Sequence, residues 1–192
     1  AIIEPEAFGG LLRAMDAFIA ATGETNNDSW VDMAQLDACI RDDLNKHSVR
    51  RMAVLRPIKL IIDNYPDGQT EEMTAINNPE DETAGTRKVP FSKILYIEQD
   101  DFREEPPPKF HRLYPGNEVR LRYAYLVKCT GVARDPVDGA VTEVHCTYDP
   151  ATRGGDTPDG RKVKSTIHWV SADHAVKGDI RLYEQLFTVE NP

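Results

Sequence analysis

Asn117–Lys128 reads NEVRLRYAYLVK. Val119, Leu121, Tyr123, Tyr125 and Val127 alternate with Arg120, Arg122, Ala124, Leu126 and Lys128. That period-two pattern predicts a half-buried strand. Side chains two apart on a strand share a face at a spacing of ~6.6–7 Å. Arg120 and Arg122 are therefore expected to point the same way, about one nucleotide apart. Upstream stand Lys109, His111 and Arg112, and Tyr114-Pro115-Gly116 predicts a turn. From Lys109 to Lys128 five Lys/Arg face one acid, a local balance of +4; the whole chain carries −9, so the rest carries −13. A basic, aromatic-laced ribbon on an acidic protein suggests a polyanion site. A solvated strand face with ordinary surface arginines is the plainer reading of the same residues.

At 192 residues the chain is one large domain or two small ones. A composition of 40% hydrophobic and 29% charged residues predicts a soluble globular protein. No run of 18 apolar residues occurs, so no membrane-spanning helix is expected. The N-terminus places two acids before any base, unlike a secretory signal. Three cysteines, Cys39, Cys129 and Cys146, offer no disulfide framework and favour a reducing compartment. The acidic balance argues against a protein that coats nucleic acid nonspecifically, so any contact must be local.

Outward from the ribbon, the chain divides in character near Arg50-Arg51. Gly10–Thr22 predicts a helix, with Leu11, Leu12, Met15, Phe18 and Ile19 on one face and Gly23 to stop it. Glu24–Ser29 is a polar connection. Asp32 is the expected N-cap of a second helix, with Gln35 completing a capping-box pattern. Its expected buried stripe is Met33, Leu36, Ile40 and Leu44, with Arg41, Asp42 and Asp43 facing water. Ala53–Tyr65 is β-rich, and Pro57 fits only an edge, a strand start or a bulge. Residues 66–83 hold six acids and no base and are expected to be a solvated loop. Strands resume over Lys88–Glu98, and Pro106–Pro108 stiffen a connection. Asp138-Gly139 carries the two-residue hairpin signature, with Val141–Tyr148 returning antiparallel. With that dipeptide as the loop, Cys129 faces Tyr148 and Cys146 faces Gly131, leaving the thiols ~7–8 Å apart as diagonal neighbours. Asp159-Gly160 is a further turn. Lys162–Ser171 alternates again, and Asp179–Val189 is the last expected strand. The map is mainly β: a short helical N-terminal segment over 1–50, then antiparallel β-barrels over 51–192.

The signatures of self-sufficient catalysis are missing. Gly85-Thr86-Arg87-Lys88 is not a phosphate loop, and there is neither a GxSxG elbow nor an HExxH pair. The five histidines do not combine with the cysteines at metal-ligand spacings, so no metal and no catalytic residue is assigned.

Several stretches together carry a family resemblance. They are DMAQLDACIRDDLN, RRMAVLRPIKLIIDNYP, GTRKVPFSKILYIEQDDFREE, HRLYPGNEVRLRYAYLVK, CTYDPATRGG and DGRKVKSTIHWVSADHAVKGDIRLYEQLF. In order and spacing, from about Val31 to Pro192, the chain resembles the glutaminyl-tRNA synthetases. DFREE, VRLR and IHWVSA favour them over their glutamate relatives. Ser165 stands where the family commonly has glycine. The resemblance implies the end of a helical subdomain followed by the two anticodon-binding β-barrels, C-terminally incomplete. The family's ATP-binding signatures are absent from this chain. It also implies a cytoplasmic, monomeric parent ligase using ATP with magnesium, glutamine and the glutamine tRNA, with no DNA or membrane partner. Carried over residue by residue, Arg50 lies near the middle anticodon base and Arg112 at the third. Arg120 and Arg122 lie around the first base and its phosphates. Such roles suit a guanidinium fork, which can contact two acceptors of a guanine or clamp a phosphate. A glutamyl-tRNA synthetase of the same architecture is the enzyme alternative. A non-catalytic β-barrel that binds an acidic protein is the alternative of another class.

Overall fold

The computed structural model describes residues 5–23, 32–155 and 157–182, with the side chains of 5–8 left aside. The chain forms two compact units. One takes Ala1–Arg51 with Thr74–Lys88, the other Met52–Met73 with Val89–Pro192.

The first unit is built on helices α1 (Pro5–Thr22) and α2 (Met33–His47). Asp32 caps α2 through its side chain, which accepts from the Ala34 amide at 2.9 Å. Gly23 ends α1 at φ 77°, its amide donating to the Ile19 carbonyl. The helices meet through small residues. Ala14 is buried, and a Cβ on Gly10 would come within 3.4 Å of the Asp43 carboxylate. Asp43, expected to face water, is buried instead. It accepts from Arg13 Nε at 2.7 Å, and His47 lies 3.1 Å away. The Arg13 guanidinium holds its carboxyl below the usual range. The expected stripe is only partly covered: Met33 stays 59% and Leu44 49% exposed, and Leu11, Leu12, Met15 and Ile19 of α1 are also exposed.

The expected loop over 66–83 holds a strand. β2 (Glu71–Ile76) pairs with β3 (Thr86–Phe91) in a two-stranded ribbon. Met73 and Ala75 alternate inward between outward Glu72, Thr74 and Ile76, a period-two signal that the density of acids hides. A short 3-10 turn, Glu82–Ala84, leads from one strand to the other, capped by Asp81.

The second unit is a curled, half-barrel sheet of seven strands. They are β1 (Pro57–Ile62), β4 (Ile94–Glu98), β5 (Glu118–Leu121), β6 (Leu126–Arg134), β7 (Val141–Asp149), β8 (Thr166–Ile167) and β9 (Val170–Ser171). Their order is β8-β5-β6-β7-β1-β4-β9. The two edge strands are thus neighbours in sequence, so Thr166–Ser171 reaches both ends of the sheet. Most pairs are antiparallel, but β1–β7 and β5–β8 run parallel. Pro57 opens β1, where its missing amide hydrogen costs no ladder bond. Inside lie Leu60, Ile62, Leu95, Ile97, Val119 and Leu121, all fully buried. Edge-to-face rings extend the core, with Phe91 at 5.1 Å from Trp169, 5.3 Å from Tyr65 and 5.4 Å from Tyr125. Glu71 accepts from the hydroxyls of Tyr65 (2.6 Å) and Tyr125 (2.9 Å) and lies 3.4 Å from Arg153. Burial alone would raise the Glu71 carboxyl, but these partners outweigh it and hold it below the usual range. Burial and then the bond to Glu71 push the Tyr125 hydroxyl up to about 12.

Two expectations within this sheet are corrected. The β6–β7 connection runs over Asp135–Ala140 rather than Asp138-Gly139 alone, and the pairing shifts between Cys129 and Gly131 and between Ala133 and Arg134. Cys129 therefore stands directly opposite Cys146, not Tyr148. Both thiols are free and buried; the neighbouring Cys129 sulfur, then burial, push the Cys146 thiol up. The alternating stretch Lys162–Ser171 contributes only the two short strands β8 and β9. Expected features at Glu24–Ser29 and most of Asp179–Val189 lie outside the described residues; Asp179–Leu182 is irregular.

Candidate nucleic-acid interface

The opening ribbon is a hairpin, not one strand. β5 stops at Leu121, the chain turns through Arg122–Tyr125, and β6 returns with Arg120 opposite Leu126 and Glu118 opposite Lys128. Ala124 and Leu121 close the turn with backbone bonds of 2.9 and 2.8 Å. Tyr123 sits at φ 67°, left-handed backbone that a bulky residue rarely adopts. Packing explains why it holds. Ala124 and Tyr125 are buried, and Trp169 Nε1 donates to the Arg122 carbonyl at 3.0 Å. Arg120 and Arg122 therefore do not share a strand face.

Each arginine has its own setting. Arg120 lies on β5, and its Nε donates to the Gly155 carbonyl at 2.6 Å. A Cβ at Gly155 would stand 2.7 Å from Arg120 Cδ, and that residue has φ 94°. Only glycine gives the arginine this bed. Arg122 is exposed at the hairpin tip, its guanidinium 5.4 Å from the centre of the Tyr123 ring. Arg112 precedes the Tyr114–Gly116 turn and is ion-paired with Asp101. Its carbonyl accepts from Asn117 Nδ2 at 2.7 Å, which ties it to the start of β5. The second unit thus carries Arg112, Arg120 and Arg122. Arg50 belongs to the first unit; its Nη2 donates to the Asn45 carbonyl at 3.1 Å and lies 3.7 Å from Glu80.

Beside the hairpin is a cleft of about 750 Å³. Phe110, His111, Tyr114, Lys128, Lys162 and Lys164 are among the residues that line it. Arg161 also reaches it, but its charge is met by Glu118 (3.0 Å), Asp149 (2.6 Å) and Asp159 (2.7 Å). That arginine fastens the Asp159–Lys164 segment to β5 and β7. Among the described residues, Lys128, Lys162 and Lys164 have no ion-pair partner. Cations free of internal pairing beside two aromatic rings suit a phosphate-linked chain of unstacked bases. The basic run Arg161-Lys162-Val163-Lys164 is visible in sequence. Its place beside Gly116–Glu118, at the start of β5, follows from the parallel β5–β8 pairing, where the Arg120 amide donates to the Ser165 carbonyl at 2.9 Å; none of Arg50, Arg112, Arg120 and Arg122 lines the cleft.

Residues 48–149 match the family model of the tRNA synthetases class I (E and Q), anti-codon binding domain. The chain belongs to this family. A second anti-codon binding domain model of the same synthetases matches residues 166–192. Similar proteins named glutamine–tRNA ligase include one from Bradyrhizobium diazoefficiens, 58% identical over 93% of this chain and 32% of the relative. Another, from Rhodopirellula baltica, is 56% identical over 92% of this chain and 29% of the relative. A third, from Clostridium kluyveri, is 54% identical over 88% and 30% respectively. The chain spans about a third of the length of these curated relatives. Within this anticodon-binding family the lysine-lined cleft and the arginine hairpin are the features whose chemistry suits RNA. Among the described residues no helix is long and apolar enough to cross a membrane, and no three His, Cys, Asp or Glu side chains gather as a metal site.

Proposed function

We propose that this chain reads the anticodon of the glutamine tRNA as part of a glutamine–tRNA ligase. The observation that carries the reading is the cleft beside the arginine hairpin, where Lys128, Lys162 and Lys164 have no ion-pair partner among the described residues and rings are in reach. The names of the relatives support the amino acid. In this reading residues 1–50 end a helical subdomain and 51–192 form the anticodon-binding β-barrel region. Arg112 meets the third anticodon base, a guanine in glutamine tRNAs. Arg120 and Arg122 attend the first base and its phosphates, and Arg50 the middle base. ATP, magnesium and glutamine are used by the rest of a cytoplasmic, monomeric ligase, so this chain alone catalyses no ATP–pyrophosphate exchange.

The test is a titration against glutamine tRNA transcripts with single anticodon substitutions, at several salt concentrations. Binding should fall with salt at a log–log slope of ~0.7–0.9 per phosphate contact. Replacing the third-base guanine by cytosine should weaken binding by about 1–3 kcal/mol. Equal binding to every anticodon, or affinity flat in salt, overturns the reading.

A further inference from the structure

Asp101 closes a short 3-10 turn, Gln99–Asp101, and its side chain is 1% exposed. Among the described residues neither carboxylate oxygen has a hydrogen-bond partner in good geometry. Among the described residues the one cation against it is Arg112, whose Nη1 is paired with Asp101 Oδ1. A carboxylate out of water with no counter-charge is strongly unfavourable. Arg112 is therefore the counter-charge that a buried Asp101 carboxylate calls for at this spot.

The backbone on both sides is fixed. The Leu113 amide donates to the Asp101 carbonyl at 3.0 Å, and the Arg103 amide to the Leu113 carbonyl at 3.1 Å. Phe102 and Leu113 pair in an isolated parallel bridge, and both are buried. Asn117 holds the Arg112 carbonyl from the other side. With both main chains locked, the carboxylate decides where the guanidinium goes. The Arg112 side chain is nonetheless 55% exposed. Nη1 is engaged in the ion pair, and among the described residues Nη2 and Nε make no hydrogen bond. A planar fork with one corner anchored presents its remaining donors in a fixed plane. A guanine edge, with O6 and N7 side by side, fits such a pair of donors.

We propose that Asp101 is the positioning residue of the third-base reader. It makes Arg112 a rigid fork selective for guanine instead of a mobile cation that meets any base or phosphate. This rests on Arg112 reading the third base, as in the proposed function.

The experiment uses the full chain as parent, Asp101→Asn, Arg112→Ala and the double variant. Each is titrated with two anticodon stem-loop RNAs that differ only in guanine or cytosine at the third base, and each is followed by thermal unfolding. Asp101→Asn keeps the shape and removes the charge. It should shrink the guanine-over-cytosine ratio by about tenfold, toward that of Arg112→Ala, with cytosine binding changed less than twofold. The double variant should match Arg112→Ala alone. If Arg112→Ala collapses the ratio and Asp101→Asn leaves it intact, the positioning role is wrong while Arg112 remains a reader. If Arg112→Ala leaves the ratio intact, the third-base assignment itself fails, and the inference with it. Should Asp101→Asn lower the unfolding temperature and weaken both RNAs equally, Asp101 is structural only. A readout on the parent covers a variant that does not fold. The nitrogen NMR signals of the Arg112 guanidinium should show slowed rotation, and fully averaged signals overturn the proposal.

Discussion

The helical pair and the curled sheet use the same kind of apolar periodicity and end in opposite states. On α1 and α2, Leu11, Leu12, Met15, Ile19, Met33 and Leu44 remain exposed, while a charged residue, Asp43, is buried against Arg13. In the sheet, alternate residues of β1, β4 and β5 are fully buried around Trp169 and Phe91. Two helices meet along one narrow line, and small residues at Gly10 and Ala14 bring them together there. A curled sheet encloses its inner face from several sides. Apolar periodicity therefore names the face that seeks cover, but the number of neighbouring elements decides how much cover it gets.

The largest effect should come from Trp169→Ala, which removes a fully buried ring and the donor to the Arg122 carbonyl. Urea unfolding should show a loss of about 3–5 kcal/mol. A smaller cost than for any helical substitution would break the comparison.

Glu71→Gln should follow, at about 1–3 kcal/mol, because it weakens the acceptor shared by Tyr65, Tyr125 and Arg153. Its pH dependence has a definite sign. The folded carboxyl sits below its usual value, so its contribution is complete above the unfolded pKa of ~4.3 and is lost as pH falls through the folded pKa. The stability gap between parent and variant should stay constant from neutral pH to about 5 and narrow below about 4. A gap that widens in acid contradicts the hydrogen-bonding scheme.

Asp43→Asn should lower helicity at 222 nm and the unfolding temperature by less than either sheet variant, since Arg13 is half exposed. The smallest effect is chemical. A thiol reagent should label Cys39 in the folded chain and reach Cys129 and Cys146 only on unfolding. Three fast thiols under native conditions would mean that the β6–β7 centre opens readily.

The mainly β character, the helical start, the Asp32 cap, the Pro57 strand start and the turns at Gly116 and Gly160 were all legible from the residues alone. These depend on local chemistry: a side-chain acceptor, a fixed φ, or a glycine with φ above zero. The basic residues of the candidate interface were legible too, as charge along the chain. Their arrangement was not. Arg122-Tyr123-Ala124-Tyr125 contains no glycine, proline or asparagine, so nothing local announces a turn. Only the burial of Ala124 and Tyr125 and the Trp169 bond, from a residue more than forty positions away, stabilise Tyr123 at positive φ. The shifted β6–β7 register that sets Cys129 against Cys146 comes from irregular pairing, which period-two counting cannot reveal. The parallel pairing of β8 with β5 brings Lys162 and Lys164 beside Gly116–Glu118 and Lys128 by the same kind of non-local choice. Backbone hydrogen bonds carry no residue code, so which strands become neighbours is decided by how the whole sheet buries its inner face.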